Sequence, residues 1–205
     1  MITTDQKLFG SLPTHTLQRW FWHGHVMWYD FAFYFTYTLH FVLPFALAIL
    51  IWKYRDKYYW QYVATFFSVS FMGFLTFLAF PAAPPWMAAE KGLITPIARV
   101  SSAVWTAAGV NDFPSVYNKI SPNPVAAVPS LHAAYATLLV IFVYKLFGKK
   151  WGLLAATYPL IIYFGTVYSG EHYVIDEIIG IIYALIAYFA VSWIFKYKNS
   201  PKTSK

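Results

Sequence analysis

The sequence predicts an all-α fold, a polytopic membrane helical bundle that forms a single domain over residues 1–205. Two observations indicate this class. The chain is 59% hydrophobic and only 11% charged, whereas a soluble domain usually carries about 25% charged residues. Its apolar residues also collect in long, nearly charge-free stretches. Beside lipid every backbone polar group must be satisfied within the structure, which a helix achieves and an open sheet does not.

Five such stretches predict about five transmembrane helices. Each is close to the ~20 residues that a helix needs to cross ~30 Å of hydrocarbon. A membrane barrel would instead show short segments of alternating polarity. The stretches cover residues 26–52, 58–80, 125–144, 151–168 and 178–195.

Three further segments complete the predicted organisation. Residues 1–25 form an N-terminal segment whose part near 14–25, rich in Trp and His, is too short to span and predicts an interfacial helix rather than a cleaved signal peptide. Residues 81–124 are rich in proline and predict an outer-face loop or lid. Residues 196–205 form a basic tail.

The basic residues predict the orientation of the chain. Three clusters follow the first, third and fifth apolar stretches, which places all three on one side. The positive-inside rule makes that side cytoplasmic, together with the C-terminus. The net charge of +7 is therefore attributed to topology and to anionic lipid head groups, not to a nucleic-acid partner. The clusters are Lys53, Arg55 and Lys57; Lys145, Lys149 and Lys150; and Lys196, Lys198, Lys202 and Lys205.

His172 and Asp176 are the first candidates for chemistry, because residues four apart share one face of a helix. A carboxylate that binds one imidazole nitrogen sets the tautomer and leaves the other nitrogen available as a nucleophile or base. A purely structural hydrogen bond at the start of the fifth span is the alternative. Both residues fall on the predicted extracytoplasmic face.

His132 is the second candidate, at the start of the third span and on the same face. Pro129 and Ser130 precede it, and both residue types suit the first turn of a helix. Free N–H groups at a helix start favour an anion, and a nearby histidine can protonate a leaving group. An N-cap followed by an interfacial histidine is the alternative.

The two motifs together suit phosphoryl transfer through a phosphohistidine, with neither metal nor cofactor. Other polar residues receive lesser roles. His40, within the first span, is assigned to a hydrogen bond inside the bundle. Glu171 and Glu177 flank the second motif and either tune its pKa or face water.

The motifs resemble the type 2 phosphatidic acid phosphatase superfamily, whose usual signatures are K-x6-R-P, P-S-G-H and S-R-x5-H-x3-D. Pro-Ser-Leu-His ends the stretch 123–132, and His-x-x-x-Asp ends the stretch 169–176. With the proline-rich stretch 80–86, they are most similar to the branch of inositol phosphorylceramide synthases and their prokaryotic relatives. The resemblance runs from roughly residue 30 to residue 180.

The resemblance implies roles for these residues in a lipid-phosphate enzyme. His172 would be the nucleophile, Asp176 would orient it, and His132 would be the general acid. Ser130 would bind phosphate oxygens. Cations expected at two signatures are absent, since Phe80 and Thr166 stand where the family has arginine. Arg99, with its forked donor geometry, and then Lys91 and Lys119 are the predicted replacements.

The leading hypothesis is a membrane lipid-phosphate phosphatase. Its substrate would be a lipid phosphate, pyrophosphate or phosphoinositide at the outer face of the bilayer. A phosphotransferase that moves a phospho-head group such as phosphoinositol between lipids is the alternative. A metal-dependent hydrolase using the two histidines and Asp176 as ligands, a transporter and a non-catalytic lipid binder also stay open. The absence of cysteine excludes disulfides, thiolate nucleophiles and Cys-based zinc sites.

Overall fold

The computed structural model describes residues 1–110 and 123–198. Over these residues the fold is helical and contains no β-strand, which confirms the predicted all-α class. An isolated β-bridge joins Ala82 to Ala126. The helices are α1 (Ile2–Phe9), α2 (Pro13–Phe21), α3 (Trp28–Thr38), α4 (Leu43–Tyr54), α5 (Tyr59–Ala79), α6 (Pro85–Glu90), α7 (Val100–Ala107), α8 (Leu131–Phe147), α9 (Lys149–Ala155), α10 (Thr157–Tyr168) and α11 (Val174–Lys198).

The described helices include membrane spans, although the predicted number of five is not established. Three segments are long and apolar enough to cross a membrane: Asp56–Ala79, Lys149–Tyr168 and Val174–Tyr197. The pair α3 and α4 adds a fourth if it counts as one broken span. Helix α8 is apolar but has only 17 residues. The molecule is therefore a helical membrane bundle with three or four spans by length.

The first span is broken rather than continuous. Trp28–Phe41 and Leu43–Tyr54 meet at an angle of 50°. Pro44 occupies the first turn of α4, where its missing N–H costs little, but its ring would clash inside one continuous helix. The break places His40 in a short 3₁₀ turn instead of mid-helix.

Helix α8 also starts later than the third predicted stretch. Residues 125–130 are not helical, because they contain Pro129 and the bridge to the 81–85 segment. The Val125 carbonyl accepts from the Ala82 N–H at 2.7 Å, and the Ala127 N–H donates to the Ala82 carbonyl at 3.1 Å. These bonds join the end of α5 to the start of α8.

The core lies around α8, which packs against α4, α5, α10 and α11. Its first turns bury only alanines, which let neighbouring helices approach closely. Its second half buries Leu138, Phe142 and Leu146, which contact Val69 and other apolar residues of the surrounding helices. Many large apolar side chains face outward, as expected for a surface against lipid.

The N-terminal segment contains two helices, of which the sequence predicted only the second. Helix α2 corresponds to the element expected near residues 14–25. Its Gln18 is buried and donates to the carbonyls of Ala98 and Tyr168, at 2.7 and 2.9 Å. The Ala98 N–H donates back to Gln18 at 2.8 Å. Helix α2 is therefore attached to the body of the fold, and its predicted place at the membrane interface stays a prediction.

One glycine sets the approach of α11 to the start of α8. A Cβ on Gly180 would lie 2.2 Å from the Ser130 carbonyl oxygen and 3.2 Å from the Ala133 Cβ. A backbone oxygen within a helix cannot move aside as a flexible side chain does. Helices α8 and α11 can therefore adopt this packing only with glycine at position 180.

We expect Gly180→Ala to separate α8 from α11 and to lower the free energy of unfolding by about 1–3 kcal/mol, as overpacking usually does. The midpoint of thermal unfolding in detergent measures the effect. Gly165→Ala is the matched control, because its Cβ would meet Phe33 at an ordinary 3.5 Å. Equal melting temperatures for the two variants would contradict this account.

Candidate active site

His172 is positioned by the end of α10. The Gly170 N–H donates to the Val167 carbonyl at 3.2 Å, and the Glu171 N–H donates to the Thr166 carbonyl at 3.0 Å. With Gly170 at φ 80° in the left-handed region, these bonds form a Schellman motif. The His172 N–H bonds the same Thr166 carbonyl at 3.2 Å. The turn that ends α10 therefore holds the histidine backbone.

His132 is positioned by the start of α8. Ser130 is the N-cap of this helix, as the sequence predicted, and its hydroxyl accepts from the Ala133 N–H at 3.3 Å. The Ser130 N–H donates to the carbonyl of Asp176 at 3.1 Å. The two motifs, forty or more residues apart in sequence, are thus joined directly through their backbones.

These two backbone arrangements bring His132, His172 and Asp176 together, and we call these three residues the candidate triad. His132 Nδ1 lies 3.2 Å from His172 Nε2. On the opposite edge of the ring, His172 Nδ1 lies 3.6 Å from Asp176 Oδ2, an ion-pair distance rather than a hydrogen bond. Asp176 is fully buried and its Oδ2 also accepts from the Tyr173 N–H at 2.9 Å. A carboxylate beside Nδ1 favours the tautomer in which Nε2 is available to react.

The charges around His172 change its protonation. Burial alone lowers its pKa, but the carboxylates of Asp176, Glu177 and Glu171 raise it by more, so the pKa lies above the usual value. Both flanking glutamates are buried, which contradicts the alternative that they face water. The raised pKa therefore favours the protonated form of His172 and lowers the neutral fraction at a given pH.

Glu177, in the first turn of α11, contacts the end of α10 and the start of α8. Its Oε1 accepts from the Thr166 hydroxyl at 2.6 Å and from the Ser130 hydroxyl at 3.4 Å. Thr166 occupies the position where the third signature usually has arginine, so a hydroxyl–carboxylate contact stands where a cation was expected. The sequence shows Glu177 next to Asp176, but not these contacts.

His40 lies beside His132, a contact that the sequence did not predict. The break between α3 and α4 places its ring on that of His132, with centroids 4.1 Å apart and planes 22° apart. Tyr37 also stacks on His132, at 4.4 Å and 25°. His40 Nδ1 has no hydrogen-bond partner among the described residues, and the hydrogen bond expected for His40 within the bundle stays a prediction. Together these two rings restrict the orientation of His132.

A pocket opens beside the two histidines. Its volume is about 220 Å³. Of the described residues that line it, none is a lysine or an arginine, and its polar side chains come mainly from the site already described. The lining includes Tyr37, His40, Asn123, His132, Glu171 and His172.

Comparison with known proteins identifies the family. The model of the PAP2 superfamily matches residues 1–190 of this chain. The chain belongs to the PAP2 superfamily. It is a multi-pass integral membrane protein.

The curated relatives lie in the branch that the motifs resembled. A phosphoinositol dihydroceramide synthase of Bacteroides thetaiotaomicron is 36% identical over 71% of this chain and 48% of its own. An inositol phosphorylceramide synthase of Candida albicans is 27% identical over 82% of this chain and 36% of its own. An inositol phosphorylceramide synthase catalytic subunit of Schizosaccharomyces pombe is 26% identical, over 74% and 37%. The chain spans less than half of the length of these relatives, and no solved structure matches it significantly.

The four predicted phosphate ligands of this PAP2 chain lie in different surroundings. Arg99 is near the site, since its Nε donates to Glu171 at 3.2 Å and its guanidinium lies 3.8 Å from the Trp86 ring centroid. Ser130 is fully buried, with its hydroxyl on Glu177. Lys91 is exposed at the end of α6 and does not line the pocket. Lys119 lies outside the described residues.

The alternative of a metal-dependent hydrolase gains no support from the geometry. Within residues 1–110 and 123–198, no three or more His, Asp or Glu side chains are grouped so as to hold a metal ion. Asp176 lies behind His172, against Nδ1, rather than beside His132. In the described part of the site, His132 contacts His172, and His172 in turn contacts Asp176.

We expect Asp176→Asn to lower the pKa of His172, because it removes a carboxylate that favours the protonated ring. Titration of isotope-labelled histidine by NMR measures this, with His172→Asn used to assign the signal. Glu90→Gln, which removes an exposed carboxylate at the end of α6, should leave the titration unchanged. A His172 pKa that stays equal or rises in Asp176→Asn would refute the assigned charge interaction.

Proposed function

We propose that this chain is a lipid phosphotransferase that moves a phospho-head group, such as phosphoinositol, between membrane lipids through a phosphohistidine intermediate. The placement of His132 Nδ1 against His172 Nε2, with Asp176 behind the second ring, carries the proposal. The three relatives are all named as synthases of phosphorylated ceramides, which favours an alcohol acceptor. Hydrolysis was the leading hypothesis from sequence. It would share the first step of the transferase reaction and would use water as the acceptor in the second step.

The first half-reaction assigns one role to each member of the triad. Nε2 of neutral His172 attacks the phosphorus of the donor lipid and forms a P–N bond. The P–O bond to the departing lipid alcohol breaks, and His132 Nδ1–H gives its proton to that oxygen. Asp176 holds the imidazole by its Nδ1 side and stabilises the positive charge that develops on the ring.

The second half-reaction reverses the proton transfer. His132 accepts the proton of the acceptor hydroxyl as that oxygen attacks phosphorus and the P–N bond breaks. The stacked rings of His40 and Tyr37 keep His132 in place through both steps. Arg99 is proposed to exchange its bond with Glu171 for one with a phosphate oxygen, since guanidinium matches phosphate geometry.

The reaction is tested with purified protein and a panel of lipid donors. We expect phosphoinositol to pass from a phosphoinositide to a ceramide-type acceptor, and His172→Ala to abolish turnover in a protein that still folds. Glu90→Gln is the control, because this exposed side chain lies outside the pocket. Phosphate transfer and release are measured together, with and without a chelator.

Each result of that assay has one meaning. Release of inositol phosphate from a phosphoinositide, or of phosphate from a lipid phosphate, without transfer to the acceptor would replace the transferase by the phosphatase hypothesis. Turnover that a chelator abolishes and zinc restores would favour a metal-dependent hydrolase. An unchanged rate in His172→Ala would overturn the phosphohistidine mechanism.

We also propose that the chain spans the membrane five times, with α8 as one span and α3 with α4 as another. The site lies at one end of α8, while the first two basic clusters lie at the other end, where Arg55 Nε donates to the Leu146 carbonyl at 2.9 Å. By the positive-inside rule the basic end is cytoplasmic, which places the site on the extracytoplasmic face and the basic C-terminal tail in the cytoplasm.

This orientation can be tested by labelling, because the chain contains no cysteine. We expect Lys91→Cys to react with a membrane-impermeant maleimide in intact cells, and Lys150→Cys to react only after lysis. Both lysines are exposed, so accessibility within the protein does not distinguish them. The reverse pattern would overturn the proposed topology.

A further inference from the structure

Helix α11, which carries Asp176, has its first N–H groups bound from a distant part of the chain. Side chains that cap a helix start are usually Ser, Thr, Asp or Asn, but the residue before Val174 is Tyr173. The Val174 N–H donates to Asp5 Oδ2 at 2.9 Å, and the Ile175 N–H donates to Asp5 Oδ1 at 3.1 Å. One carboxylate of α1 therefore satisfies two donors that every helix start leaves without an intrahelical partner.

The Asp5 carboxylate is held at this place. It is 1% exposed, whereas Gln6 and Lys7, which follow it on α1, are exposed. Burial raises the pKa of Asp5, the two bonds from Val174 and Ile175 lower it, and the charge of Asp176 raises it. A carboxylate at the positive end of a helix is favoured electrostatically. Asp5 is the buried residue of this eight-residue helix, and its contact to α11 accounts for the burial.

Helix α1 also contacts the segment that leads to His132. The side chain of Met1 packs against a small cluster formed by Ala82, Ala127 and Val128. Ala127 and Val128 lie just before α8, and Ala82 lies in the segment after α5 that is bridged to them. Helix α1 thus touches the backbone supports of both motifs, with Met1 beside one and Asp5 beside the other.

We propose that Asp5 is a positioning residue that sets the geometry between His172 and Asp176. Val174 and Ile175, whose N–H groups it binds, are two of the three residues between them. Rotation of this first turn changes the separation of His172 Nδ1 and Asp176 Oδ2, now 3.6 Å. The inference rests on the proposed function for its effect on rate, but its effect on the His172–Asp176 pair is independent of any substrate.

The experiment compares Asp5→Ala and Asp5→Asn with Gln6→Ala, a neighbouring exposed position on α1. For Asp5→Ala we expect kcat to fall roughly tenfold to a hundredfold, as small misplacements of reacting groups do, with little change in KM. We also expect the pKa of His172 to fall, because Asp176 no longer stays close to its ring. Asp5→Asn keeps one acceptor oxygen and should lie between Asp5→Ala and wild type, and Gln6→Ala should match wild type.

The two readouts separate the possible failures. A variant that melts at lower temperature, but keeps the wild-type kcat and His172 titration below its melting point, would make Asp5 merely structural and overturn the proposal. If wild type shows neither transfer nor hydrolysis, the proposed function fails, while the His172 titration still decides whether Asp5 positions the pair. If Asp5→Ala does not fold, the titration and rate of Asp5→Asn decide.

Discussion

The backbone bond from the Ser130 N–H to the Asp176 carbonyl is the contact on which the site depends. It joins the start of α8 to the start of α11 and thereby brings His132 to His172. Glycine at position 180 makes the bond possible, because any Cβ there would collide with the Ser130 carbonyl. The arrangement of the triad therefore results from the packing of α8 against α11. Each histidine is positioned by its local backbone, His132 by α8 and His172 by the turn that ends α10.

This junction has an unusual balance of charge. Two helix N-termini meet at one place, and each carries a positive partial charge. Buried carboxylates surround them: Asp5 and Asp176 bind backbone N–H groups, and Glu177 accepts from two hydroxyls. The start of α8 also favours a phosphate anion, whereas the first N–H groups of α11 are already bound to Asp5. In the proposed reaction, protonated histidine, the start of α8 and Arg99 supply the positive charge that other family members draw from their signature cations.

The sequence predicted the parts of the site that depend on local patterns. The spacing of His172 and Asp176 and the N-cap at Ser130 arise within a few neighbouring residues, and the structure contains both. Of the five apolar stretches, three or four are long enough as helices to span a membrane. The sequence did not predict the contacts of Asp5 and His40, because these contacts are not local. Their partners lie 169 and about ninety residues away, and neither residue stands in a recognisable local motif.

The predicted helix boundaries were wrong at two places, where an apolar stretch continues through residues that cannot continue a helix. Hydropathy continues through residues 125–130 and through residue 42, so both stretches looked like uninterrupted spans. Prolines near these positions, and the bridge between Ala82 and Ala126, end the helices regardless of hydropathy. The break at residue 42 is what brings the ring of His40 against His132.

By itself the sequence determined the class of the protein, its membrane character and its family motifs, and it predicted the residues of the candidate triad. Those properties follow from composition and from spacings along one helix, which a linear pattern records. The tertiary structure alone decided that Asp5 binds the start of α11, that His40 stacks on His132 and that Arg99 meets Glu171. These contacts depend on close approaches between helices distant in sequence, and a linear pattern contains no measure of such distances.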